Sequence, residues 1–232
     1  MANEITISKT LGIEFVARQL VKFAIDPNPI VAILNAIWDG SDTLQRNNIV
    51  DVLNDLKTRV EYIEEILQVK LRFDTPIFTD DILPVLQKAK NEFNSQKRQL
   101  YATFIVACIH PDNLNCSNKV IFSNYLDRLD YLSIYILNNI KSYCTERQLI
   151  EIIDSKEDKD TILVHLWNLK SLDLVESITA DEYEKSSRFG NRRLLNSKNV
   201  LLYKRSNLGN EFLNFMLKGI PENDSTHVTY SL

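Results

Sequence analysis

The sequence predicts a mainly α-helical protein, with an N-terminal domain of long antiparallel helices and a smaller helical C-terminal domain that carries a β-hairpin. Three observations predict it. Apolar residues recur at spacings of three and four over long stretches of the first half, which is the period of an amphipathic helix. Among 232 residues there are only five glycines and six prolines, so long segments run without punctuation. Late in the chain two short apolar runs, LDLVESI and VLLYKR, flank a polar segment in which Phe189-Gly190-Asn191 suits a hairpin tip. The length allows two modest domains, each with its own core.

The elements follow in order. LGIEFVARQLVKFAI sets Leu11, Phe15, Val16, Leu20, Phe23 and Ala24 on one helical face, with Arg18, Gln19 and Lys22 opposite. Asp26-Pro-Asn-Pro29 stops this helix, because each proline disfavours helical geometry in the residue before it. IVAILNAIWDG is apolar nearly all round and has no cationic face, which suits a buried hairpin arm better than a membrane-surface or partner-docking helix. Gly40-Ser-Asp42 ends it, and Asp42 or Thr43 caps the next helix. There Ile49, Val52, Leu53, Leu56, Val60, Ile63 and Leu67 form a seam that packs within the chain or against a second copy. Asp51, Asp55, Lys57, Arg59, Glu61, Glu64 and Glu65 fall elsewhere and read as solvated. After FDTPIFTDD, Thr79 or Asp80 caps a second long helix, DILPVLQKAKNEFNSQKRQLYATFIVACI, with Pro84 tolerated in its first turn.

HPDNLNCSNK is aperiodic and rich in turn formers, which divides the chain into a helical domain (1–115), a second domain (120–218) and a polar tail (219–232). The second domain opens with VIFSNYLDRLDYLSIYILNNIKS, with Phe122, Leu126, Leu129, Leu132 and Ile136 at helical spacings, as one helix or two. TERQLIEIIDS, with Thr145 as cap, is a short amphipathic helix, and ILVHLWNLKSLDLVES runs from helix into strand.

Two motifs in this part resemble the winged helix, a helix-turn-helix with a β-hairpin appended. Leu169-Lys-Ser-Leu-Asp-Leu-Val175 occupies the place of a Leu-x-x-x-Gly-Leu-Val/Ile turn, with Asp173 where Gly is usual; Asp can adopt the left-handed conformation the turn needs. Tyr203-Lys-Arg-Ser-Asn-Leu-Gly-Asn-Glu-Phe-Leu213 is similar to the strand-to-helix ending Tyr-x-Leu-Thr-x-x-Gly-x-x-Phe/Leu, with Ser206 in the capping position and Gly209 at a close backbone approach. The resemblance covers residues 120 to 218. Over the whole chain, the helical start, the long charged helix, the Gln96-Lys-Arg-Gln-Leu-Tyr-Ala102 run and the winged-helix-like end resemble bacterial proteins of the abortive-infection alpha type. That likeness implies phage defence and brings no catalytic motif.

Composition narrows the function. Hydrophobic residues at 44% and charged residues at 25% exclude global disorder. Cys108, Cys116 and Cys144 lack C-x-x-C spacing, which indicates neither a disulfide framework nor a cysteine zinc site and fits a reducing cytoplasm. The N-terminus shows no basic segment followed by an apolar one, and no charge-free apolar run reaches the ~18 residues that span a bilayer. His110, His165 and His227 have no metal-ligand spacing, and no phosphate loop or nucleophile elbow is present. No catalytic residue, metal or cofactor is therefore expected, and His165 reads as a satisfied core residue.

The net charge of -4 argues against nucleic acid, but it is segregated: seven basic and no acidic residues lie between positions 185 and 205, which leaves the rest of the chain at -11. Lys185, Arg188, Arg192, Arg193 and Lys198 in this arm are candidates for contacting a nucleic-acid backbone, and Phe189 for stacking on a base or entering a partner. The same arm can instead pair with the acidic remainder of the protein or of a second copy.

The helix before the hairpin differs. With Ile162, Leu166 and Leu169 facing inward, its outward face offers Asp160, Thr161, Val164, Trp167, Asn168 and Ser171, and only Thr161, Asn168 and Ser171 suit base contacts. Val164 and Trp167 suit protein, or else Trp167 packs on the helical domain. The expected function is thus a cytoplasmic, non-enzymatic regulatory or adaptor protein that binds mainly protein; the alternative is a DNA-binding transcriptional regulator that acts through its basic wing.

Overall fold

A computed structural model describes residues 27–68, 70–153, 158–180, 182–183 and 200–220. The expected helix over residues 11 to 24 and the polar tail beyond 220 lie outside the described residues. The described chain is mainly helical, with a three-stranded antiparallel sheet. It divides into two compact units: residues up to 126 together with those from 215 on, and residues 127–214.

In the first unit, α1 (Pro27–Asp39) buries Leu34 and Trp38. Helix α2 (Thr43–Leu67) opens on a capping box: Gln45 N–H donates to Asp42 Oδ1 at 2.8 Å, and Asp42 N–H donates to Gln45 Oε1 at 3.1 Å. Its seam, from Ile49 to Ile63, is buried along α5 (Ser95–Ile109), so the packing is within the chain; Leu67, at the end of the helix, is 39% exposed.

Two residues expected in solvent are buried. Arg59 is held by Asp55 at 2.9 Å and donates to Gly219 O, while Glu64 accepts the Leu71 N–H at 2.8 Å and pairs with Lys70 at 2.7 Å. Such partners are what makes a buried charge tolerable.

The second long helix starts earlier than expected and breaks once. Asp74, not Thr79 or Asp80, is the cap, accepting from Ile77 N–H at 2.9 Å. From there α3 (Thr75–Ile77) runs through a π-helical turn (Phe78–Ile82) into α4 (Leu83–Lys90). Pro84 has no N–H for an α-helical ladder, and the wider turn lies just ahead of it. The helix stops after Lys90 and restarts at Ser95, where Asn94 accepts from the N–H groups of Gln96 and Lys97. The asparagines at 91 and 94 favour a cap over a helix interior.

Beyond it α5 is buried on all sides from Leu100 to Ile109 and forms the middle of the unit. The turn-rich stretch expected at the domain boundary and α6 (Lys119–Tyr125) lie in this unit too. Asn113 there donates to Ala107 O and Phe215 O, Lys119 pairs with Asp81 at 3.0 Å, and Phe215 packs on Phe104 and Phe122.

The second unit runs α7 (Tyr131–Asn139), β1 (Cys144–Thr145), α8 (Glu146–Ile153), α9 (Lys159–Ser171), β2 (Val175–Thr179), β3 (Leu201–Arg205) and the start of α10 (Asn207–Leu217). Asp130 caps α7, which separates it from α6, and Thr145 Oγ1 accepts the Gln148 N–H at the start of α8. The sheet order is β1-β3-β2, with Cys144 opposite Tyr203 and Ile178 opposite Leu202. Ile136, Leu149, Ile162, Leu166, Leu169, Leu174 and Phe212 are fully buried, at about 1.5–3 kcal/mol each.

The junction between α9 and β2 follows from three residues. Asp173 takes a left-handed conformation, φ 58°, which turns the chain out of the helix so that Leu174 N–H reaches Leu169 O at 3.0 Å. Ser206 Oγ donates to Asp173 O and accepts the Gly209 N–H at 2.8 Å, which ties the start of α10 to this turn. A Cβ on Gly209 would run into the Leu174 carbonyl oxygen. Gly209→Ala is therefore expected to cost about 3 kcal/mol, read as a lower urea midpoint, because the atoms the new methyl meets are all backbone and cannot swing aside.

In the first unit burial holds the His110 pKa below its ordinary 6.5, aided by Lys218 and opposed by Asp112, and the ring accepts the Asp112 N–H through Nδ1. The unfolded chain takes up this proton first, so the stability it contributes is complete above about pH 6.5 and declines as pH falls from there through the folded pKa. In urea melts over that range, His110→Gln is expected to flatten the slope.

Candidate functional site

Helix α9 is fixed at both ends and keyed along one side. At its start Asp158 accepts the Thr161 N–H at 2.9 Å and the Thr161 hydroxyl at 3.1 Å, bonds that hold its carboxyl below the usual range. At its end the Asp173 turn sends the chain into β2. Ile162, Leu166 and Leu169 fill the core, and His165 Nδ1 lies 3.0 Å from Ser133 Oγ and 3.4 Å from Asp130, against the first turn of α7. With those contacts made, the rotation of α9 about its axis is set, and so is the face it turns to solvent.

That face is a stripe of Asp160, Val164, Trp167 and Ser171, all exposed, at steps of four, three and four. Val164 is 61% and Trp167 is 65% exposed. Residues at these steps lie above one another on a helix, so the two apolar side chains form one patch, with a carboxylate at one end and a hydroxyl at the other.

The three groups suited to reading bases are already engaged. Thr161 serves the cap. Asn168 donates to Arg128 O at 2.6 Å, and the Arg128 guanidinium returns bonds to Asn168 Oδ1 at 3.3 Å and Ser171 Oγ at 2.8 Å. No sequence pattern points to this clamp, since Arg128 precedes α9 by some thirty residues and carries no spacing signal. It brings a guanidinium to the C-terminal end of the stripe, where Lys170 is also exposed. Neither cation has an ion-pair partner among the described residues. At the other end Lys159 is paired with Glu146 at 3.0 Å, which leaves Asp158 and Asp160 as the net charge there among the described residues. The exposed face of α9 is thus acidic at its start, apolar in its middle and basic at its end.

The wing candidates Lys185, Arg188, Phe189, Arg192, Arg193 and Lys198 lie outside the described residues. In the described part of the basic stretch, Lys204 is paired with Glu176 at 3.0 Å and lies over the Tyr143 ring, and its ammonium is held above the ordinary range by the Glu176 hydrogen bond. Burial pushes the Cys108 thiol well up and the Cys144 thiol up, which makes both poor nucleophiles at neutral pH. Among the described residues no group of three or more His, Cys, Asp or Glu converges as a metal site, and no helix is long and apolar enough to cross a membrane. No protein-family model, curated protein or solved structure matches the chain.

Proposed function

We propose that this chain is a non-enzymatic regulatory or adaptor protein of the cytoplasm, and that residues 127–214 are a winged helix used for binding protein. The order of α7, β1, α8, α9, β2 and β3, the β1-β3-β2 sheet and the Asp173, Ser206 and Gly209 junction support the winged-helix reading. In that fold α9 stands where a recognition helix would. The observation that carries the protein-binding reading is the exposed Val164 and Trp167 patch, flanked by hydrogen-bonding groups that are spent on Arg128. A groove-reading helix needs free donors and acceptors and no carboxylate facing phosphate; a protein-binding helix needs an aromatic anchor inside a polar rim. The likeness to abortive-infection proteins suggests phage defence as the setting.

The second reading, a DNA-binding regulator, rests on the basic arm between 185 and 205, whose arginines could track phosphates while α9 stays clear of the groove. Fluorescence anisotropy with labelled duplex DNA at two salt concentrations separates the readings. Trp167→Ala and Asn168→Ala are expected to leave any DNA affinity unchanged within about twofold; a loss of about tenfold, ~1.4 kcal/mol, would overturn the protein-binding reading of α9. Salt-steep binding lost in the combined Arg188→Ala, Arg192→Ala and Arg193→Ala variant would assign DNA contact to the wing.

A further inference from the structure

The exposed stripe of α9 is complementary to itself. Val164 and Trp167 lie equally far from a midpoint between them, and Asp160 and Ser171 lie equally far from the same midpoint. If a second α9 is laid antiparallel across that midpoint, Val164 meets Trp167 of the other copy, and Asp160 meets Ser171. The Arg128 guanidinium is bound to Ser171 Oγ at 2.8 Å, so Asp160 also comes up against a cation fixed in place. A two-fold axis repeats each contact, which gives two aromatic–aliphatic contacts at the centre and a carboxylate–guanidinium pair at each end. In a parallel arrangement the acidic starts of the two helices would face each other, as would the two basic ends, and like charges there cost energy. Among the described residues both cations at the basic end lack ion-pair partners, and so does the exposed Asp160. The four-three-four spacing is that of a helix packing along another helix.

We propose that the partner of this face is a second copy of the same chain, with α9 packed antiparallel on α9, Val164 against Trp167 and Asp160 against the Arg128 held at Ser171. This rests on the reading of α9 as a protein-binding helix and names its partner. A helix of 13 residues is ~20 Å long. One such pair buries less than the ~800 Å² per partner of a standard interface, which puts the dimer in the micromolar range or weaker. The charges then set the orientation and the apolar centre supplies most of the affinity.

Sedimentation velocity of the full chain over a wide range of concentration tests this directly, with far-UV circular dichroism as a check on folding. The unaltered chain is expected to shift from monomer to dimer as concentration rises. Trp167→Ala, at an exposed position, is expected to keep the fold and remain monomeric. Asp160→Arg, which sets like charges together at both ends, and Arg128→Glu, which does the same with carboxylates, are each expected to weaken association roughly tenfold or more. The double variant Asp160→Arg with Arg128→Glu restores opposite charges and is expected to recover most of the loss. A chain monomeric at every concentration overturns the proposal and leaves α9 to a different protein, the broader reading being judged by the DNA assay. A dimer indifferent to Trp167→Ala, or one that the double variant fails to restore, overturns it as well.

Discussion

The hydrogen bonds that Ser206 Oγ makes to Asp173 O and from the Gly209 N–H join three separate parts of the second unit: the end of α9, the start of β2 and the first turn of α10. Asp173 accepts a left-handed backbone to make the turn, and Gly209 leaves out the side chain that would fill the gap to Leu174. Because the two backbones lie against each other at this point, α9 cannot slide or rotate without breaking the junction. The direction of its outer face is a consequence of that constraint, and so is the division of labour between its core residues and its exposed stripe.

Charge acts in different ways in the two units. In the first, Glu64, Arg59 and Lys119 are buried, and each is met by a backbone group as well as an opposite charge. Such groups hold the chain in one arrangement, and removal of a partner would strand a buried charge. In the second unit the charges around α9 are exposed and only partly paired. Exposed pairs contribute little to stability, so their distribution bears on which partners approach and in which orientation. The clamp of Arg128 on Asn168 and Ser171 belongs to both categories, since it uses up two side chains that could have read a base and presents a positive charge in their place.

Much of this was legible in the sequence wherever the signal is local. The Asp42 cap, the α2 seam and the α9 core positions follow from residues a few places apart, whereas the roles of Asp173, Ser206 and Gly209, whose contacts span more than thirty residues, were legible only through the resemblance to the winged helix. What could not be read depends on distant partners. Glu64 and Arg59 look like surface charges until Leu71 and Gly219 are brought to them, and Arg128 looks unrelated to α9 until the fold sets them together. The break between α4 and α5 was written in Asn91 and Asn94, yet a continuous apolar pattern on either side concealed it. Of the candidate contact residues, Val164 and Trp167 stand exposed on one patch, while those of the basic arm lie outside the described residues.

The face of α9 can be read out by its own tryptophan. The chain has two, Trp38, which is buried, and Trp167, so Trp38→Phe leaves Trp167 as the sole reporter. In dilute solution its emission should be that of a water-exposed indole and open to acrylamide quenching. As the protein is concentrated, the emission should shift to the blue and quenching should fall, while duplex DNA added at low salt should change neither. A blue shift or protection brought about by the DNA, or an indole already shielded at high dilution, would contradict the assignment of this face to protein.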